Sequence, residues 1–383
     1  MKYLLFLIIT FNTLSYYKNE FPTDYIQARK SFRNLFPNYK TFRVPSETDK
    51  DLTIDYSYHK ARNSRKLLVI NSGIHGPEGH AGSAAIKVFK EKIFIDLVEN
   101  NINILIIHAM NPFGYKYHRR FTENNVDLNR NQAIDEKLFK TLNAPYNKLK
   151  KILVPQGKVS GYRIAFYKTL FSIAKKLITG MKFSKIREAT AKGQYHDSKG
   201  LFYGGNKLEP NSEFVQKLLR DKFQGKSDIF FIDFHTGLGD RAKLHLITPY
   251  FKNTKSKELT LKLFSNGSHY HLTSPDSKGF YRASGDLLGY VNHIAANDAT
   301  VISLAAEFGT LGKGIFSQVD TINRIILENQ GHFYGYESDF VKEEIMKQYV
   351  ELFLPEPLSW KIKATDTMMK LFEGPVLKWA LQK

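Results

Sequence analysis

Hydrophobic and polar positions recur along the chain with two different periods. From Asp24 to Phe36, DYIQARKSFRNLF places Tyr25, Ala28, Phe32 and Phe36 on or near one face of a helix. DLTIDYSYHK alternates as a strand does, whereas KLLVINSG is a short unbroken apolar run, the pattern of a strand buried on both faces. A helical stretch, HAGSAAIKVFKEKIFIDLVEN, then leads to a second unbroken run, INILIIHAM. Strand, loop, helix and strand within about 45 residues predict a parallel βαβ unit. Three more runs, SDIFFIDFH, KLHLITPYF and ATVISLAAEF, read as strands ending in polar or charged residues. The last stretch of about 70 residues is helical by the same periodicity. No internal repeat, low-complexity segment or Pro/Gly-rich linker breaks the pattern, so a single domain over residues 16–383 is the simplest division.

The N-terminus differs. Tyr3 to Phe11 is an apolar stretch after one lysine, too short to span a bilayer and long enough for a signal-peptide core. Thr13 and Ser15 supply small side chains before a cut, so residues 1–15 are read as a leader and export is favoured over the cytoplasm; a buried first strand is the alternative.

Composition narrows the chemistry. The absence of cysteine from 383 residues removes disulfides, thiolate ligands and a cysteine nucleophile together, so a transition-metal site must be built from His and carboxylates. The formal charge of +19 is concentrated: between Pro145 and Lys192, twelve Lys/Arg stand against one acid, Glu188. This run reads as a basic helical insert near 145–192, and its aromatics and leucines at helical spacing read as core contacts. Charge alone supports nucleic-acid binding, with no RNP-like or zinc-finger pattern beside it, so no nucleic-acid partner is expected; contact with a membrane surface stays open.

The chemistry concentrates in INSGIHGPEGHAGSAAI, Ile70 to Ile86. The Walker pattern fails, because Arg220 stands where Gly225-Lys226-Ser227 would need the earlier glycine. No G-x-G-x-x-G opens a helix, and Ser83 in AGSAA is not a nucleophile elbow. His75 and Glu78, just past a strand, can share a metal ion, although with 12 His about one H-x-x-E is expected by chance. His235 ends the apolar run IFFIDFH and Glu307 closes VISLAAEF in the same way. Active sites of open α/β sheets collect at that strand edge. Singly, each is an ordinary polar residue at a strand end. Together they make two His, one ligating Glu and one free Glu, the set that metal-assisted hydrolysis needs. The polar loop NPFGYKYHRRFTENNVDLNRN, Asn111 to Asn131, reads as a substrate loop, its arginines suited to carboxylates and oxyanions.

GIHGPEG, that loop, DFHTG and AAEFGT, in this order, resemble the zinc metallocarboxypeptidases. GQYHDSKGLFYGG, Gly193 to Gly205, looks like a bacterial carboxypeptidase-like branch of unknown function. The resemblance runs from about Tyr16 to the C-terminal helices. It implies an α/β fold with a mixed, mainly parallel eight-stranded sheet between helices and one Zn2+ per chain. By position it implies His75, Glu78 and His235 as ligands and Asp127 as the carboxylate orienting a ligand histidine. Arg120 would polarise the scissile carbonyl, with Arg119 as a stand-in, and Asn129 and Arg130 would hold a terminal carboxylate. Glu307 would be the general base and acid, and Tyr281 or Tyr290 the tyrosine near substrate.

The expected activity is zinc-dependent hydrolysis of an amide bond next to a free carboxylate, in a peptide or an acyl-amino acid. Deacylation of N-acyl amino acids, as in aspartoacylases, is the alternative. A non-enzymatic binder of anionic lipid or nucleic acid through the basic block is a second.

Overall fold

The computed structural model describes residues 21–264, 269–274 and 283–382; the N-terminal apolar stretch and Tyr281 lie outside them. Its centre is a sheet of β1 (Lys40–Arg43), β2 (Thr53–His59), β3 (Lys66–Ser72), β4 (Asn103–His108), β5 (Asp228–Gly237), β6 (Leu244–Ile247), β7 (Tyr270–Thr273) and β8 (Thr300–Gly309). They lie in the order β1-β2-β4-β3-β5-β8-β6-β7. Neighbours from β4 through β3 and β5 to β8 run parallel, as do β6 and β7; the remaining neighbours are antiparallel.

The principal helices are α1 (Tyr25–Leu35), α2 (Gly79–Lys92), α3 (Ala144–Leu153), α4 (Tyr162–Ile178), α5 (Phe183–Ala191), α6 (Pro210–Phe223), α7 (Leu287–Ile294), α8 (Ile315–Tyr334), α9 (Asp339–Phe353) and α10 (Leu358–Leu371). Leu68, Ile70, Phe230 and Ile232 pack with α2 and α10 on one face of the sheet. Leu67, Val69, Ile229 and Phe231 pack with α6 and α7 on the other. Both faces are covered, which is why β3, β4 and β5 are continuous apolar runs. The fold is α/β, a mixed and mainly parallel eight-stranded sheet between helices. A third core joins α3, α4 and α5 to α8 and α9 through Leu149, Ile173, Ile186, Val319 and Tyr349.

Three local expectations change. The predicted helix after His80 breaks at Ile93, which turns Phe94 onto Phe36 and Phe89 at ring distances of 5.8 and 6.0 Å. The basic run is three helices, separated where Pro155, Gly157, Gly161 and Gly180 stand, the last three with positive φ. Its apolar residues are core contacts on one side of α4 only: Phe166, Leu170 and Ile173 face inward, whereas Ile164, Tyr167, Phe171 and Ile178 are exposed.

The topology positions a site. From β3 the chain passes through α2 to β4 on one side, and only later reaches β5 on the other. The order reverses beside β3, so the C-terminal ends of β3 and β5 open a crevice there.

Candidate metal centre

Beyond Ser72, Gly73 takes φ +66°, and a Cβ there would lie 3.2 Å from the Ala109 Cα. His75 then begins a single 3-10 turn, Gly76–Glu78, with Pro77 at its start. In a 3-10 turn residues i and i+3 eclipse, which brings the imidazole of His75 over the carboxylate of Glu78. The turn lies against the loop after β4 so closely that a Cβ on Gly76 would come within 1.9 Å of the Gly114 carbonyl carbon.

His235 and Glu307 are direct Cα partners in the parallel β5–β8 pair, so both reach the same edge. His75, Glu78 and His235 are buried, and their donor atoms all lie within 4.8 Å of one another. His75 Nδ1 is 3.0 Å from each oxygen of Glu78, and His235 Nδ1 is 2.8 Å from Glu78 Oε2. Behind them, His235 Nε2 meets Asp233 Oδ2 at 2.7 Å, and His75 Nε2 lies 3.3 Å from Asp127 Oδ1. Each imidazole thus has a carboxylate at Nε2 and turns Nδ1 toward Glu78, the arrangement that fixes metal-binding histidines.

Asp233 was not singled out from sequence. Its signal was the i, i+2 spacing of D-F-H, which puts Asp233 and His235 on one face of β5. The Asn71 amide donates to Asp233 Oδ1 at 2.7 Å and anchors it from β3.

Arg120 closes the group. Its Nε donates to Asp127 Oδ2 at 3.1 Å and its Nη2 lies 2.8 Å from His75 Nε2. A guanidinium can only donate, so this contact uses the Nε2 lone pair of His75. With Nδ1 given to a cation, Nε2 carries the hydrogen and its partner becomes Asp127. The backbone N–H of Arg120 donates to the buried Tyr349 hydroxyl at 2.8 Å, a contact with no local sequence signal.

Four carboxylates, Glu78, Asp127, Asp233 and Glu307, meet here. Two guanidiniums stand against them: Arg120, bonded to Asp127, and Arg130, which acts on Asp127 through its charge. With neutral histidines, two negative charges are left over. Protons respond to that surplus. Burial opposes charge on His235, but Asp233 and Glu78, one at each ring nitrogen, hold its pKa well above the ordinary value. Burial likewise opposes charge on Glu78, and His75 with His235 outweighs it, holding the carboxyl at about 2. Asp127 is held well below its usual range, burial being outweighed by Arg120 and His75. Glu307, half-buried, is raised to about 7 by burial and then by the charge of Glu78; its Oε1 accepts the Leu238 N–H at 2.8 Å. The donor set and the charge surplus both fit a divalent cation.

The other sequence candidates divide. Asn129 accepts the Leu287 N–H at 3.0 Å through its side chain. Arg130 is buried, donates to the Asn129 carbonyl at 2.6 Å and leaves Nε without a partner among the described residues. Arg119 does not join the group: it donates from Nε to Glu328 at 2.8 Å and from Nη2 to Asn125 and Asn329. Its side chain leaves the loop on the side of α8, so its role as a stand-in for Arg120 has no geometric basis. Tyr290 is buried on α7 with its hydroxyl bonded to Arg220.

A family model described as "Protein of unknown function (DUF2817)" matches residues 21–367. The chain belongs to that family. No curated protein matches this DUF2817 chain in sequence. Bovine thrombin-activatable fibrinolysis inhibitor is 14% identical, with a TM-score of 0.46 over 82% of this chain and 97% of that one. Carboxypeptidase A of Helicoverpa armigera is 14% identical, with a TM-score of 0.41 over 85% and 71%. The murein-tripeptide amidase of Escherichia coli O157 is 15% identical, with a TM-score of 0.34 over 79% and 94%.

Proposed function

We propose that this DUF2817 protein is a zinc-dependent hydrolase that cleaves an amide bond adjacent to a free carboxylate. The observation that carries the reading is the pair of carboxylate-backed histidines converging on Glu78, with Glu307 in register beside His235. His75, Glu78 and His235 would hold the ion, and Asp127 and Asp233 would keep the two imidazoles aimed. Zinc in such a set supplies Lewis acidity and lowers the pKa of a bound water toward about 7. Glu307 takes the proton of the attacking water and returns it to the leaving nitrogen. Arg120 offers its N–H fork to the oxyanion, which calls for a preorganised donor in a site shielded from water. Arg130, with its unpartnered Nε, and Asn129 would fix the substrate carboxylate, a contact suited to a planar guanidinium.

Elemental analysis of the purified protein beside a His75→Ala variant tests the metal centre: about one zinc per chain, lost in the variant, is expected. A panel of peptides and N-acyl amino acids then tests the reaction. Cleavage of peptides with a free C-terminus supports a carboxypeptidase, and preference for N-acyl amino acids makes the same residues a deacylase. A zinc-loaded protein inert on the whole panel would sink the amide-hydrolase reading.

A further inference from the structure

Helix α4 has apolar residues on two opposite faces. Phe166, Leu170, Ile173 and Leu177 face the third core. Ile164, Tyr167, Phe171 and Ile178 face away from it and are 58%, 56%, 69% and 85% exposed. At helical spacing these four fall within an arc of about 60°. They lie opposite the inward side, which Phe166, Leu170, Ile173 and Leu177 occupy.

Exposed basic side chains, Arg163, Lys168 and Lys175, stand among them. The ion pairs of the basic block, Lys150 with Asp197 and Lys185 with Glu188, leave these three without a carboxylate among the described residues. The sequence context adds no acid, since Glu188 is the only one between Pro145 and Lys192.

We infer that this face of α4 docks on an anionic lipid surface, with the helix lying in the plane of the interface. Large apolar side chains in one narrow stripe, interleaved with lysines, suit the boundary between headgroups and acyl chains. There the stripe enters the apolar layer, and the lysine stems run along it to reach phosphates. The helix has 17 residues, and no helix among the described residues is long and apolar enough to cross a membrane, so the contact is with the surface. Charge decides between occupants. A second copy of this chain would set one strongly basic block against another, and a nucleic acid would satisfy the lysines but leave Phe171 and Ile178 in water. Anionic lipid answers both kinds of side chain. The inference is independent of the chemistry at the sheet edge.

Flotation of the full chain with phosphatidylcholine vesicles, with and without phosphatidylglycerol, tests it. Binding is expected to the doped vesicles and not to pure phosphatidylcholine, and to weaken as salt is raised. Phe171→Ser with Ile178→Ser should lower the affinity about tenfold or more, and each of Lys168→Glu and Lys175→Glu about fivefold or more. The melting temperature should not move, because all four side chains are exposed. Failure to bind doped vesicles overturns the inference. So does binding that survives Phe171→Ser with Ile178→Ser, which would place the contact elsewhere in the chain. A dimer dissolved by that pair of substitutions, or retention of duplex DNA in place of vesicles, would equally overturn it.

Discussion

Two adjacent arginines enter two buried polar clusters, and the clusters differ in their balance of charge. Around Arg119 the charges close on themselves: one guanidinium, one carboxylate from Glu328, and the amides of Asn125 and Asn329. Around Arg120 carboxylates gather in excess about two histidines, and Asp233 with Glu78 holds the pKa of His235 well above its ordinary value. A closed cluster ties α8 to the polar segment after β4. An open one, at the C-terminal edge of parallel strands, is a place for a cation. Both clusters are buried, and Arg119 Nη1 and Glu328 Oε2 even lack partners among the described residues; the deciding difference is charge balance.

The largest effect expected from this contrast lies at Glu307. Glu307→Gln should keep the zinc and lose roughly a hundredfold to ten-thousandfold in kcat, since it removes a proton acceptor without touching a ligand. Full activity in the zinc-loaded variant would remove Glu307 from the reaction. Next comes the arginine pair itself. Arg120→Ala should cut kcat by about 10²–10³ in the folded, zinc-loaded fraction, and it also costs stability, because Asp127 loses its guanidinium. Arg119→Ala should leave kcat near its original value in the folded fraction and cost about 3–5 kcal/mol of stability, because Glu328 stays buried without its partner. Arg119→Met together with Glu328→Leu should recover most of that loss. Exchanged phenotypes would show that the clusters have been assigned the wrong way round. A smaller effect belongs to Asp233→Asn, which should weaken zinc binding about 10- to 100-fold while the three ligands stay in place, measured by competition with a chelator.

Hydrophobic patterning could not tell the arginines apart; only the resemblance put Arg120 ahead of Arg119. They are neighbours in a loop without periodicity, and the partner that defines Arg119 lies 209 residues away on α8. His75, Glu78, His235 and Glu307 were legible because each follows or closes an apolar run, and a parallel strand delivers its last residues to one edge. The same logic reads β3, β4, β5 and β8 from their unbroken hydrophobic runs. It fails for β1 and β7, four-residue strands at the two margins of the sheet that bury too little to leave a pattern. It fails again on α4, where apolar residues on both faces give helical spacing but only packing against α8 shows which face turns inward.

The smallest effect, a pH dependence of stability, separates the closed cluster from the open one without any assay of activity. Burial raises the pKa of Glu328 above its ordinary 4.5, and Arg119 only partly offsets it. The folded state therefore holds this proton more tightly than the unfolded chain. The stabilisation is complete below the unfolded value and is lost as pH rises through the higher folded value. Glu328→Gln keeps the shape and an acceptor for Arg119 Nε but has no proton to lose. Urea melts from about pH 4.5 upward should therefore show the difference in unfolding free energy, parent minus variant, falling as pH rises. A difference that rises instead would mean that the attraction of Arg119 outweighs burial, and that the ion pair stabilises the fold in its charged form.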